Sequence, residues 1–522
     1  MANEERDDSL VPGAPGQGAE DAATMSENLR KLIEGRIEKM AEIEQLTALY
    51  PYAFDRTHDS EGLRAAEAEL TASGAVVRCA GRLMAKRGTG KTLFAPLQDE
   101  KGRIQVYFKK DDLGEDRFRL ANKLVDIGDW IGVEGTLFRT KTDELTIHVT
   151  DFTFLAKAIR PLPEKYHDMS LENKSRRRHL DLAMNQESRE RFRRRSAIIS
   201  DIRAFFAAED FLEVETPVLQ PLYGGATARP FTTHHNALDM TLYMRIADEL
   251  YLKRLIVGGL ERVYEIAKDF RNEGMDRTHN PEFTMLECYA AYWDYHDMMD
   301  LTERLLRRLA VNFGQQGRLT YQGQELDFSQ RFGRIRFMDA LAEAVGRDLM
   351  AAATDEVAAE LKKRHIPLKK GMGRDKMLDA LFSELVEPGL VQPTFVMDHP
   401  KELSPLAKGH REAEGLVERF ELFVAGFELA NSFSELNDPR EQRARFEAQR
   451  ALAEAGDDEA QPVDEDFLQA MEAGMPPTGG LGMGIDRLVM MLTGTEVIRD
   501  VILFPQMKQA GKPGAQASVP VS

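Results

Sequence analysis

FRNEGMDRTHNPEF, residues 270–283, packs Arg271, Glu273, Arg277 and His279 into one polar loop. ERVYEIAKDF before it and FTMLECYAAYW after it each alternate in period two, so the unit reads as an antiparallel strand, loop and strand. On the second strand Phe283, Met285, Glu287 and Tyr289 fall on one face and Thr284, Leu286 and Cys288 on the other. A carboxylate and a phenol then point the same way. A solvated hairpin tip is the plain alternative, because charged loops are common on protein surfaces.

Two further segments narrow the choice. FLEVETPVL, residues 211–219, follows a helix-like run and reads as a strand ending at Pro217. GGLGMGIDRLV, residues 479–489, is rich in glycine. Its context excludes a dinucleotide fingerprint: MPPT precedes it, no βαβ unit with an acidic residue follows, and an arginine opens the helix. Gly480, Gly482 and Gly484 instead let the backbone pass close to a ligand, with Arg487 on the first turn of the helix behind them.

In this order, the proline-ended strand, the arginine hairpin and the glycine-rich strand resemble the three signature motifs of class II aminoacyl-tRNA synthetases. GGATARPFTTHHNALD (224–239), YMRIADELYLKRLIVGGLERVYEI (243–266), PTFVMDHPKELSPLAK (393–408) and ANSFSELNDP (430–439) extend the resemblance to the lysyl branch of that class, in its bacterial form, over roughly residues 70 to 505. Aspartyl- and asparaginyl-type relatives share the class motifs but require a basic or amide-lined pocket. Phe427 and Gly479 depart from the residues usual in the branch, and neither is a motif side chain.

Composition bears on this independently. No apolar run approaches a membrane span, and the acidic opening MANEERDDSL is unlike a signal peptide, which predicts a cytoplasmic protein with no membrane partner. Two cysteines, Cys79 and Cys288, support neither a disulfide framework nor a zinc site. The net charge of −18 argues against a nucleic-acid partner. Local fields matter more than the total, and SRRRHLD with RERFRRR concentrates arginines across residues 175–195, as either a basic junction or a solvated helix face.

The chain divides into an acidic, disorder-like start (1–25), a helix and barrel (26–156), a proline-containing linker (157–186), a domain of alternating helices and strands (187–506) and a tail (507–522). The helix of residues 26–47 takes Ser26 as N-cap and carries Leu29, Leu32, Ile33, Ile37 and Met40 at helical spacing. Five short strands between Ala75 and about Leu155 suggest a closed barrel of OB-fold type. RGTGKT, residues 87–92, is not a phosphate-binding loop, because Ala85 stands where glycine is needed and a strand follows. The expected fold class is α+β: an OB-fold anticodon-binding domain, then a class II catalytic domain on an antiparallel sheet flanked by helices, with a helical insert at about 335–390.

The resemblance implies the chemistry. ATP activates lysine, and tRNA(Lys) receives it. Arg271 contacts the α-phosphate, His279 the outer phosphates, Glu273 and Asn280 the adenosine end, and Phe283 and Arg487 sandwich the adenine; Arg271 and Arg487 are the catalytic pair. Glu421 and Glu428 hold Mg2+, a hard cation that prefers carboxylates. Seven residues apart, they would lie on opposite faces of an unbroken strand, so a bulge or turn is expected at Ala425-Gly426. For lysine, Glu249 reads the α-amino group, Gly225 and Ala226 close over the substrate, and Glu287, Tyr289, Asn431, Phe433 and Glu435 surround the side chain. Phe94 stacks on the central anticodon base, with Arg87, Gln105 and Glu144 reading uridine edges. The class places the proline motif at a dimer boundary, which implies a homodimer. Two other readings remain: a paralogue that lysylates a protein such as elongation factor P, whose members lack the barrel, and an inactive RNA-binding module.

Overall fold

The computed structural model describes residues 26–163, 169–368, 372–454 and 462–508; the acidic start and the tail from residue 509 lie outside them. Two compact units, Met1–Lys165 and Tyr166–Ser522, make up the chain.

In the first unit, α1 (Glu27–Leu46) begins at Ser26, whose hydroxyl accepts the Leu29 amide at 3.3 Å. The expected apolar stripe is only partly used. Ile43 is the buried residue, Met40 packs against the barrel core, and Leu32 and Ile37 stay half exposed. Strands β1 (Val77–Leu83), β2 (Arg87–Thr89), β3 (Thr92–Gln98), β4 (Arg103–Lys109), β5 (Trp130–Arg139) and β6 (Leu145–Ala156) run in the order β1-β5-β6-β4-β3-β2. A β1–β3 pairing closes the sheet into a barrel. RGTGKT forms β2 and the turn into β3, with no helix after it. Strict alternation of buried and half-buried residues on β1 follows from a filled interior.

The second unit is built on one eight-stranded sheet. Its strands are β7 (Leu212–Glu213), β11 (Arg262–Phe270), β12 (Glu282–Ala291), β15 (Gly333–Arg336), β16 (Thr394–Pro400), β17 (Leu416–Val424), β18 (Phe427–Ser434) and β19 (Thr478–Gly484), in the order β15-β16-β17-β18-β19-β12-β11-β7. The intervening β8 (Leu219–Gln220), β9 (Thr232–His235) and β10 (Met240–Met244) form a small sheet, and β13 (Arg318–Tyr321) pairs with β14 (Gln324–Asp327). All main-sheet pairings are antiparallel except the two at its edges, β7–β11 and β15–β16. One face is sealed by α2 (Gln186–Ala208), α4 (Tyr295–Phe313) and α8 (Ile485–Thr493), which pack on Leu286, Cys288, Phe420, Leu422, Leu481 and Met483. The other face is left for polar side chains. Between these elements α3 (Glu249–Val257) packs on β12 and β11.

Several expectations need correcting. The strand before Pro217 is only Leu212–Glu213, so the proline sits in the connection to β8 rather than at a strand end. The insert of 335–390 begins inside β15; beyond it α5 (Phe337–Val345), α6 (Thr354–Lys363) and α7 (Arg374–Leu385) share their own core with Val396 and Phe423 of the sheet. The presumed linker 157–186 carries helices Leu171–Arg176 and Arg178–Met184. Its arginines are neither a basic patch nor a solvated face throughout. Arg178 is buried, paired with Asp181 at 2.7 Å and donating to the Arg499 carbonyl at 2.9 Å, and Arg195 pairs with Asp486 at 2.6 Å. Both cysteines are free and buried. Among the described residues no helix is long and apolar enough to cross a membrane.

Candidate active site

The unsealed face of the main sheet lines a cavity of about 410 Å³. Strand register explains which side chains enter it. One cross-strand row runs Glu287, Gly482, Asn431, Glu421 across β12, β19, β18 and β17; the next runs Tyr289, Gly480, Phe433, Arg419. Each row has a glycine second from one end, so the sheet is grooved there. At Gly480 the space is needed: an added Cβ would lie 2.0 Å from Glu435 Oε1 and 2.5 Å from Tyr289 Cε1.

The turn expected between Glu421 and Glu428 is present. Ala425 and Gly426 both have positive φ, at 52° and 78°, the geometry of a tight hairpin, and a register shift follows between Leu422 and Phe423. Together they turn both glutamates into the cavity. Glu421 is gripped by Arg419 and lies 3.5 Å from His399 Nε2, and although burial opposes it, Arg419 and then His399 hold its carboxyl down at about 2. Glu428 is raised instead, by its surroundings and then by Glu421. Two carboxylates of unequal poise, with only part of their charge neutralised, form a donor set suited to a hard divalent cation.

At the hairpin end, Arg271 lies over the Phe283 ring at 5.1 Å and, among the described residues, its side chain donates through Nε alone, to the Ile246 carbonyl at 3.3 Å. Arg487 donates to the Glu428 carbonyl at 2.7 Å and meets His279 Nε2 at 2.9 Å, while Asp276 holds the other ring nitrogen of His279 at 2.8 Å. Glu273 and Asn280 line the same cavity, and the buried Asn280 Oδ1 has no hydrogen-bond partner among the described residues.

The far end is acidic. Glu249, Glu287 and Glu435 are buried around Tyr289, whose hydroxyl donates to Glu287 Oε2 at 3.2 Å. Burial raises all three carboxyls, Glu435 to about 8, and raises Tyr289 as well. Gly225, at φ 86°, would bring a Cβ within 3.0 Å of Ala247 and 3.1 Å of Glu249, so its backbone lies directly against the glutamate. Behind Glu287 sit Asp248 and Asp269, both buried, with Arg245 at 3.1 Å from the first and 3.5 Å from the second. Burial raises Asp248 to about 10 and Asp269 to about 6.

All sixteen residues expected around ATP, lysine and metal line this one cavity. Sequence reading missed Arg419, His399, Lys253, Asp248 and Asp269. Arg419 stands two residues before Glu421 on one strand and Lys253 four after Glu249 on one helix, so spacing alone could have flagged both.

On the barrel, Arg87, Phe94, Gln105 and Glu144 line a second, shallower depression with Pro96 and Arg103. Phe94 packs on Tyr107 with ring centroids 4.6 Å apart, and Tyr107 continues to Phe138 and His148 at 5.9 and 5.5 Å. These further aromatics alternate with core residues on β4, β5 and β6, a signal present in the sequence but unused.

Comparison with known proteins agrees with this geometry. Residues 170–508 match the model of class II tRNA synthetases (D, K and N), and residues 77–155 match that of the OB-fold nucleic acid binding domain. The chain therefore belongs to the class II tRNA synthetases. Its similar relatives include the lysine–tRNA ligases of Methanoculleus marisnigri (52% identical, covering 91% of this chain and 94% of the relative), Carboxydothermus hydrogenoformans (50%; 92% and 99%) and Staphylococcus epidermidis (48%; 93% and 100%). Within the class it is a member of the lysine–tRNA ligase family.

Proposed function

We infer that the chain activates L-lysine with ATP to lysyl-adenylate and pyrophosphate, then transfers lysine to the 3′ end of tRNA(Lys). The observation that carries this is one cavity with arginines at one end and three buried glutamates at the other, in a member of the lysine–tRNA ligase family.

The substrate carboxylate is already ionised, so it attacks the α-phosphorus without a general base, and pyrophosphate leaves. Rate then comes from alignment and from charge offset as negative charge shifts onto the phosphate oxygens. Arg271 is placed for the α-phosphate and has little else to hold it. His279 takes the outer phosphates, Glu273 and Asn280 the adenosine end, and the adenine stacks between Phe283 and Arg487, a guanidinium suiting a purine face. Glu421 and Glu428 would hold Mg2+, which when bound neutralises phosphate charge. Glu249 reads the α-ammonium, Gly225 and Ala226 cover the substrate, and Glu287, Glu435 and Tyr289 take the ε-ammonium beside Asn431 and Phe433. Three buried carboxylates suit a substrate with two ammonium groups and oppose the acidic substrate of an aspartyl relative.

The barrel depression takes the anticodon, with Phe94 stacking and Arg87, Gln105 and Glu144 at base edges. Leu212, Val218, Leu219 and Leu222, all large and exposed around Pro217, support a homodimer through this region. A cytoplasmic location fits the tRNA substrate and the free thiols. The decisive measurement is amino-acid-dependent exchange of pyrophosphate into ATP, across lysine, ornithine, arginine, aspartate and asparagine, followed by charging of tRNA. Lysine alone should support both; preference for aspartate or asparagine overturns the assignment.

A further inference from the structure

Behind the acidic end of the cavity lies a cation that the reaction does not itself require. Lys253 is fully buried, on the same face of α3 as Glu249 one turn earlier. Its Nζ is 2.5 Å from Glu249 Oε1 and 2.5 Å from Glu435 Oε2, and 6.0 Å from the Tyr289 ring centre. Glu249 and Glu435 line the cavity, whereas Lys253 does not. The ammonium therefore sits behind the wall that those two side chains form. It engages one oxygen of each carboxylate. Apart from that ion pair, neither Glu435 oxygen has a hydrogen-bond partner among the described residues.

Glu249 comes from α3 and Glu435 from the residue just after β18, elements far apart in the chain. Nothing in the backbone links them directly, and Lys253 is the bridge. Without it, two buried like charges would repel, with Glu287 adding to the repulsion and Arg419 offsetting it in part. That repulsion would drive the two side chains apart. With it, one built-in ammonium offsets part of that repulsion and holds the two side chains at a fixed separation.

We propose that Lys253 is a positioning residue for amino-acid selection: it pins Glu249 and Glu435 from behind at a fixed separation, so that these two carboxylates meet the two ammonium groups of lysine. This rests on the lysine-reading roles given to Glu249 and Glu435 above. It assigns to Lys253 no contact with substrate.

The test uses the full chain and lysine-dependent exchange. Lys253→Met should raise the KM for lysine on the order of 10²-fold, because breaking a buried pair strands its partners, and should leave the KM for ATP and kcat at saturating lysine close to those of the unmodified chain. Lys253→Ala should lose as much and recover when methylammonium is added, whereas tetramethylammonium at equal ionic strength should not rescue it. Should the single variants melt below assay temperature, Lys253→Met with Glu435→Gln restores the charge balance; its lysine KM should then be no worse than that of Glu435→Gln alone. A lysine KM unchanged in Lys253→Met overturns the proposal, as does an equal loss for ATP and lysine or rescue by either cation alike. If the unmodified chain fails to activate lysine, the functional reading itself falls; if it does activate lysine and the Lys253 variants keep its affinity, only the role of Lys253 falls.

Discussion

Glu435 shows how a single buried carboxyl couples substrate binding to protons. Burial raises it to about 8 while Lys253 pulls the other way. Its folded value lies above the unfolded value of about 4.3, so its contribution to stability is complete below that lower value and is lost as pH rises through 8. A substrate ammonium beside it favours the ionised form. Lysine binding at neutral pH should therefore release protons, and affinity should increase as pH rises toward 8. Calorimetry in two buffers of different ionisation enthalpy measures this directly; identical heats in both would refute it. Glu287, raised by burial and then by Asp269 and Glu249, belongs to the same set. Glu287→Gln keeps its shape and removes its charge, so the KM for lysine should rise on the order of 10²-fold with the KM for ATP unmoved. Exchange kinetics varying each substrate in turn separate the two. Ornithine should bind poorly to the unmodified protein, because its ammonium falls short of these carboxylates.

Elements carry the next level of prediction. On the barrel, Phe94 rests on Tyr107 and lines an open depression, so one of its faces is available for a base. Phe94→Ala should raise the KM for tRNA by the equivalent of about 1 to 3 kcal/mol of stacking and leave pyrophosphate exchange unchanged. Equal losses in charging and exchange would make Phe94 a packing residue only. On the sheet, β19 works because it has no side chain where Glu435 and Tyr289 lie side by side. Gly480→Ala puts a methyl group 2.0 Å from Glu435 Oε1, so it should abolish lysine-dependent exchange while ATP binding by equilibrium dialysis persists. Retained lysine activation would mean that the strand shifts to make room.

For the whole molecule, exposed Leu212, Val218, Leu219 and Leu222 cluster in sequence around Pro217, the segment proposed above as the dimer contact. A stable interface needs on the order of 1,200 Å² or more of total buried area, beyond what four side chains supply, so neighbouring elements must take part. Light scattering at micromolar concentration should give twice the chain mass of 58.9 kDa. An active monomer under those conditions would contradict this. The net charge of −18, which argued against RNA, is compatible with the proposed anticodon contact, since the barrel depression is lined by Phe94, Arg87 and Arg103 and local groups matter there more than total charge.

By itself the sequence determined the strand pairing at the arginine hairpin, because period two fixes which side chains share a face: Glu287 and Tyr289 toward the cavity, Leu286 and Cys288 toward the helices. It also determined that Glu421 and Glu428 require a reversal, since an odd separation cannot put both on one side of a strand. The barrel, too, was visible, in short alternating strands separated by turns. What pattern could not supply was any relation between elements distant in the chain. Arg178 looked like one of many surface arginines until carbonyls from residues 499–503 enclosed it, and Pro217 looked like a strand end until the strand before it proved to stop at Glu213. Lys253 drew no reading from the sequence, although it stands one helical turn after Glu249. Only the packing of α3 against the strand end at Glu435 buries its ammonium between two carboxylates, because electrostatic partnership depends on distance through space and the chain between residues 253 and 435 carries no local trace of it.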